Sequence, residues 1–136
     1  MSTDTITHLN GKEMPAPTVP LSHGVLADGW LYVSGMVPRM PDGHIIEDDA
    51  KRATLQCLEN LLEVVRTAGG GIEDIVKTNV YLADFSDYRA MNEAYIEFFG
   101  SPYPARTTIQ AGALGIGAVE IDGTAYRRGW EPRVAL

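Results

Sequence analysis

The sequence predicts an α+β two-layer sandwich, with two long helices on one face of a mixed β-sheet. Three observations predict it. Two stretches carry apolar residues at helical spacing, several shorter ones alternate apolar with polar residues, and Gly, Asp and Pro separate them. The resulting order, β-β-α-β-α-β-β, supplies enough strands for one sheet and two helices to cover it.

Residues 5–9 read as a short edge strand, and 11–20, with three prolines, as a surface connection or arm. Residues 23–27 and 30–34 flank Asp28-Gly29, a pair suited to a tight hairpin because Gly accepts positive φ. Residues 37–43, with Pro38, Pro41 and Asp42-Gly43, read as a loop.

The first helix spans residues 48–68. Ala50, Ala53, Cys57, Leu61, Val64 and Ala68 form one stripe, widened by Leu58 and Val65, while Arg52, Glu59, Glu63 and Arg66 lie opposite. Asp48 and Asp49 suit its positive end, and Gly69-Gly70-Gly71 supplies the left-handed stop. Residues 75–83 alternate as a strand. Asp84 or Ser86 can cap a second helix reaching Phe99 and closed by Gly100, with Phe85, Tyr88, Met91, Tyr95, Phe98 and Phe99 as its buried face. Residues 106–111 and 118–127 read as two strands joined by a Gly/Ala-rich loop.

The chain has 136 residues, 45% hydrophobic and 21% charged, which fits one globular domain, 1–136, with no partner domain. A net charge of -7 disfavours nucleic-acid binding, because phosphate recognition needs a basic surface. A small anionic substrate is still compatible, since one arginine in a cleft outweighs distant charge. The single cysteine, Cys57, excludes an internal disulfide framework, and no stretch approaches about 20 apolar residues, so no membrane span is expected. The N-terminal residues 1–14 have neither the basic start nor the apolar core of a signal peptide, which makes the cytoplasm the expected location.

If helices cover one sheet face, the other must be polar or covered. Trp30, Tyr32, Val119 and Ile121 make the outer strands apolar, which predicts burial by subunit association.

Arg106 starts a strand just after Pro102-Tyr103-Pro104-Ala105, so the prolines direct its guanidinium to the end of the sheet. In the next strand Glu120 and Asp122 share one face, and Val119 and Ile121 the other. A positioned arginine can grip a carboxylate in a bidentate fork while a glutamate handles water. The same pair can also be an ordinary salt bridge between neighbouring strands. Asn92 falls on the apolar face of its helix near Tyr88, either bonded to backbone or water or holding a substrate. His8, His23 and His44 are scattered in loop or strand-edge positions without metal-ligand spacing, so no metal site is expected. Cys57 sits mid-stripe, as a core residue. The glycines of residues 112–117 match no phosphate-binding loop and open no helix.

The run Pro104-Ala105-Arg106-Thr107-Thr108-Ile109, followed by Val119-Glu120-Ile121, resembles the signature of the Rid (YjgF-like) family. Leu31-Tyr32-Val33-Ser34-Gly35, Asn60-Leu61-Leu62, residues 74–78 and Met91-Asn92-Glu93-Ala94-Tyr95 add to it, over roughly residues 20–128. The resemblance implies a chorismate-mutase-like fold, a homotrimer with sites between subunits, and no cofactor or metal. It implies hydrolysis of imines, tautomers of enamines such as 2-aminoacrylate, to a 2-keto acid and ammonia. In that reading Arg106 binds the substrate carboxylate and Glu120 positions or activates water. Backbone groups at Gly35 and Thr108 line the site, and Asn92 matches a polar site position.

The chain departs from the family pattern in three places. Leu21 stands where deaminase members usually have Tyr, Thr108 where Cys is frequent, and the loop to Glu120 is about one residue shorter. Losing a phenol makes that side of the pocket more apolar. A larger or less polar substrate follows, such as an aminomuconate, with His23, read as an exposed loop residue, able to replace the polar group. Leu21 equally motivates a member that binds 2-keto acids without catalysis. An RNA-directed activity, as in some members, is opposed by the acidic charge.

Overall fold

Strand pairing organises the molecule around one central strand. In the computed structural model, which describes residues 5–133, the strands are β1 (Thr7–Leu9), β2 (Gly24–Ala27), β3 (Trp30–Met36), β4 (Ile75–Leu82), β5 (Ala105–Gln110) and β6 (Val119–Tyr126). Two helices, α1 (Ala50–Thr67) and α2 (Tyr88–Phe99), complete the two-layer α+β sandwich. The sheet order is β1-β2-β3-β6-β4-β5, with every pair antiparallel except β4–β5. The signal-peptide reading rests partly on residues 1–4, outside the described residues.

Local chemistry explains the elements. Asp28 (φ 52°) and Gly29 (φ 87°) are both left-handed, as a two-residue hairpin turn between right-twisted strands requires. Asp49 caps α1, its carboxylate accepting from the Arg52 N–H at 3.0 Å. At the other end Gly69 takes φ 100°, its N–H donating to the Arg66 carbonyl and that of Gly70 to the Val65 carbonyl, both at 2.9 Å. These two bonds occupy carbonyls that a bare helix end would leave unpaired.

The core lies between the helices and one sheet face, where Leu58, Leu61, Val64 and Val65 of α1 meet Leu31, Val80 and Ile121. Cys57 is fully buried there, and burial followed by the Glu120 charge pushes its thiol pKa up, which keeps it an inert core group.

Two sequence expectations change. Val119 and Ile121 point into the core instead of outward, because β6 lies inside the sheet and its odd-numbered residues face α1. Trp30 and Tyr32 remain on the bare face, 39% and 51% exposed. Phe85 and Tyr88 are exposed too. A short 3-10 turn at Phe85–Asp87, capped by Asp84, precedes α2 and rotates them off the buried face.

A Cβ on Gly69 would lie 2.7 Å from Glu131 backbone atoms as well as straining φ. Gly69→Ala is therefore expected to lower stability by about 1–3 kcal/mol, whereas Gly43→Ala, with open space around it, loses only the smaller φ contribution. Urea unfolding of the two variants checks the difference; equal losses would mean that the close contact is relieved without cost.

Candidate functional site

Arg106 enters the site through strand register. Thr78, Val80 and Leu82 of β4 are buried toward the helices, and their parallel partners on β5 are Arg106, Thr108 and Gln110. All three therefore face the α2 layer at the sheet's edge. The Gln110 side-chain oxygen accepts from the Phe85 N–H at 2.7 Å, which ties the far end of β5 to the turn that starts α2.

α2 gives Arg106 a neutral bed. Its Nη1 donates to Asn92 Oδ1 at 2.8 Å, and its Nη2 lies 3.5 Å from the Tyr88 hydroxyl. The guanidinium carbon sits 4.8 Å from the Tyr95 ring centre and 5.9 Å from that of Tyr88. Tyr95 is fixed in turn by a hydrogen bond between its hydroxyl and that of Thr78, and burial raises its pKa. Among the described residues no carboxylate lies within 4.0 Å of Arg106. The cation is oriented by an amide and two π faces and is not neutralised, so it can still bind an external anion. It borders a cavity of about 390 Å³ lined by Asn92, Tyr95, Ile96, Tyr103 and Pro104. The Thr108 hydroxyl, two residues along, is buried and has no hydrogen-bond partner among the described residues.

Glu120 lies on the opposite, bare face. Its partner across the ladder is Tyr81, and that of Asp122 is Asn79. Asp122 is fully engaged, accepting from Asn79 Nδ2 at 2.8 Å and from the Tyr81 hydroxyl at 2.9 Å. That bond and the nearby carboxylates raise the Tyr81 pKa. Glu120 has a raised pKa because burial, and then repulsion from Asp122, disfavours its charge. The Gly35 backbone lies directly against its carboxylate, which would have to move aside for a Cβ at that position. This close approach follows from an irregularity in β3, whose register to β6 shifts between Val33 and Met36.

Gly35 also borders a second cavity, about 230 Å³, walled by residues including Leu21, His23, Arg39 and Asn60. Leu21, 45% exposed, presents an apolar side chain to it. His23 is not the exposed loop residue expected from the sequence. It is 7% exposed, its Nδ1 accepts the Gly11 N–H at 3.0 Å, and burial lowers its pKa. Asn60 stood in the sequence only as part of the Asn60-Leu61-Leu62 run, with no role assigned, yet its Nδ2 donates to the Val37 and Arg39 carbonyls at 3.0 and 2.8 Å and holds the loop after Gly35. Its place three residues after Cys57 and four before Val64, at the edge of the apolar stripe of α1, was the available signal.

The structure thus joins Arg106 with Asn92 and brings Thr108 to the same layer. It joins Glu120 with Gly35, and places Leu21 in the cavity beyond. It does not unite the two groups within one chain. The salt-bridge reading of Arg106 and Glu120 fails because β4 separates β5 from β6 and the two side chains project to opposite faces. Among the described residues no group of three or more His, Cys, Asp or Glu could hold a metal ion, and no helix is long and apolar enough to cross a membrane.

Residues 11–127 match the family model described as Endoribonuclease L-PSP. A RutC family protein of Pyrococcus horikoshii, PH0854, is 36% identical over 115 residues, covering 83% of this chain and 91% of that protein. A Rid-family protein of unknown function from Yersinia pestis, YyfA, superposes with a TM-score of 0.85 at 33% identity, covering 90% and 100% of the two chains. Escherichia coli TdcF with bound serine gives 0.83 at 30% identity over 88% and 98%.

Because its pKa is raised, Glu120 holds a proton in the folded state over a pH range where the unfolded chain has lost it. Stability from this group is therefore lost as pH rises through that window and stays lost above it. Glu120→Gln is expected to gain stability over wild type at pH 7 relative to pH 4, read from urea midpoints at the two pH values. An advantage that is larger at pH 4 would contradict the burial argument.

Proposed function

Because the chain belongs to the Endoribonuclease L-PSP family, which includes the Rid and YjgF-like proteins, we propose that it hydrolyses carboxylate-bearing imines and their enamine tautomers to keto acids and ammonia. The observation that carries this reading is the Arg106 guanidinium, held in place by neutral groups and left with its charge unspent. A small carboxylate supplies the missing counter-ion. The serine bound to TdcF is likewise a small carboxylate.

In the proposed reaction Arg106 fixes the carboxylate, with Asn92 holding the guanidinium plane. Glu120, ionised, takes a proton from water as the oxygen attacks the C=N carbon. The raised pKa makes it a stronger base than an exposed glutamate and a ready donor afterwards. It returns that proton to nitrogen to give the carbinolamine, and the hydroxyl proton then passes through the same carboxylate to the amino group as the C–N bond breaks, so that ammonia leaves and the keto acid remains. Backbone groups at Gly35 and Thr108 line the site.

One chain cannot present both ends of this machinery to one small molecule, since Arg106 and Glu120 lie on opposite faces of the sheet. The proposal therefore includes a homotrimer with each site between subunits. The bare face, with Trp30, Tyr32, Ile109 and Tyr126 exposed, and the open edge of β5 supply surface for it. Leu21 favours a substrate larger or less polar than 2-aminoacrylate, such as an aminomuconate. The same residue supports a second reading, a non-catalytic binder of 2-keto acids, because it offers no hydroxyl to the reaction.

Ammonia release from enzymatically generated imino acids tests the proposal. Arg106→Ala is expected to reduce kcat/KM by roughly tenfold to a hundredfold, and Glu120→Gln to reduce kcat by about a hundredfold or more. Wild-type kcat/KM should fall on acidification through the Glu120 pKa, which burial and then Asp122 hold above the residue's ordinary value. Equal rates for wild type and Arg106→Ala would sink the deaminase reading, and tight keto-acid binding without turnover would favour the binder. Sedimentation as a monomer at micromolar concentration would count against the shared site.

A further inference from the structure

Among the described residues that line the cavity beyond Gly35, Arg39 is the one with a charged side chain. Most of the cavity wall is apolar, with Met14, Val19, Leu21, Met36, Val37 and Ile116 contributing. The Asn60 amide is consumed by the Val37 and Arg39 carbonyls and by Gln56, and His23 Nδ1 by the Gly11 N–H. Arg39 is half-buried, and its backbone is pinned by Asn60 and by a bridge to Ile45. Its guanidinium has a single long contact, 3.4 Å to the Gly43 carbonyl, and among the described residues no carboxylate lies within 4.0 Å. In a chain of net charge -7, a half-buried arginine without an acid is an unspent cation.

We propose that Arg39 recognises a second anionic group on the substrate, which makes the preferred substrates imino acids whose side chain ends in a carboxylate. The inference rests on the deaminase reading for the position of the C=N carbon near Glu120. Gly35 touches the Glu120 carboxylate and also borders the cavity, so a side chain leaving that carbon past Gly35 enters the cavity. The apolar wall accepts the hydrocarbon portion, and the Arg39 fork accepts the terminal group. A single guanidinium matches the one charge of a carboxylate, whereas a phosphate dianion would remain half-neutralised against apolar walls.

The test compares imines generated by an amino-acid oxidase from glutamate and from norvaline, which differ in the terminal carboxylate. Wild type is expected to favour the glutamate-derived imine in kcat/KM. Arg39→Gln should lower the ratio of the two by at least about tenfold, or 1.4 kcal/mol, and Arg39→Lys should retain part of it. Arg66→Gln, on the solvent face of α1, should leave the ratio within about twofold, which separates local recognition from a general charge effect. Calorimetric affinities for 2-ketoglutarate and 2-ketovalerate read the same preference without turnover, so a chain that binds but does not deaminate can still pass. A ratio unchanged by Arg39→Gln, or both keto acids weakened equally, would overturn the proposal.

Discussion

Both halves of the site depend on the registers of β4. This strand is buried between β6 on one side and β5 on the other, and its alternate side chains are already assigned to faces by the core they fill. Pairing Thr78 with Arg106 commits the arginine to the helix layer, and pairing Tyr81 with Glu120 commits the glutamate to the bare face. A slip of one residue on the β5 ladder would send Arg106 to the bare face, and one on the β6 ladder would turn Glu120 inward and put Val119 and Ile121 outside. The buried Thr78, Val80 and Leu82 make such a slip costly, so the core that stabilises the fold also aims the site.

The two halves are tuned by opposite means. Arg106 lies against an amide and two phenol rings, which orient a cation without cancelling it. Glu120 lies against the Gly35 backbone and near Asp122, whose oxygens are both occupied by donors. Burial, and then repulsion from the nearby Asp122 carboxylate, raises the proton affinity of Glu120.

Much of the fold was legible because it is local. The left-handed pair Asp28-Gly29, the apolar stripe of α1 and the stop at Gly69 are each encoded within a few residues, and each has the structure its chemistry requires. Strand order is not local. Adjacent position in the chain suggested that the strands of Arg106 and Glu120 were neighbours, but the crossover inserts β4 between them. The same non-locality hid the burial of Val119 and Ile121, and that of His23, which depends on Gly11 folding back over it. Arg106 and Glu120 stood out through motif context, whereas the spacing of Tyr88, Asn92 and Tyr95 along α2 gave the aromatic bed only as apolar periodicity.

An arginine on one face of a sheet and a glutamate on the other cannot meet on a small molecule by any side-chain motion, because the sheet between them is core. Chemistry requiring both must therefore use the arginine of one copy with the glutamate of another. The surface is suited to that. β5 carries Arg106 and is an edge strand with no further strand paired to it among the described residues, while the face bearing Glu120 also exposes Trp30, Tyr32 and Tyr126. Under the proposed function, association would cover that apolar face, close Glu120 and its attacking water off from bulk solvent, and bring a guanidinium toward them. Assembly and catalysis would then be the same event, and a variant that breaks the interface should lose activity with every site side chain intact.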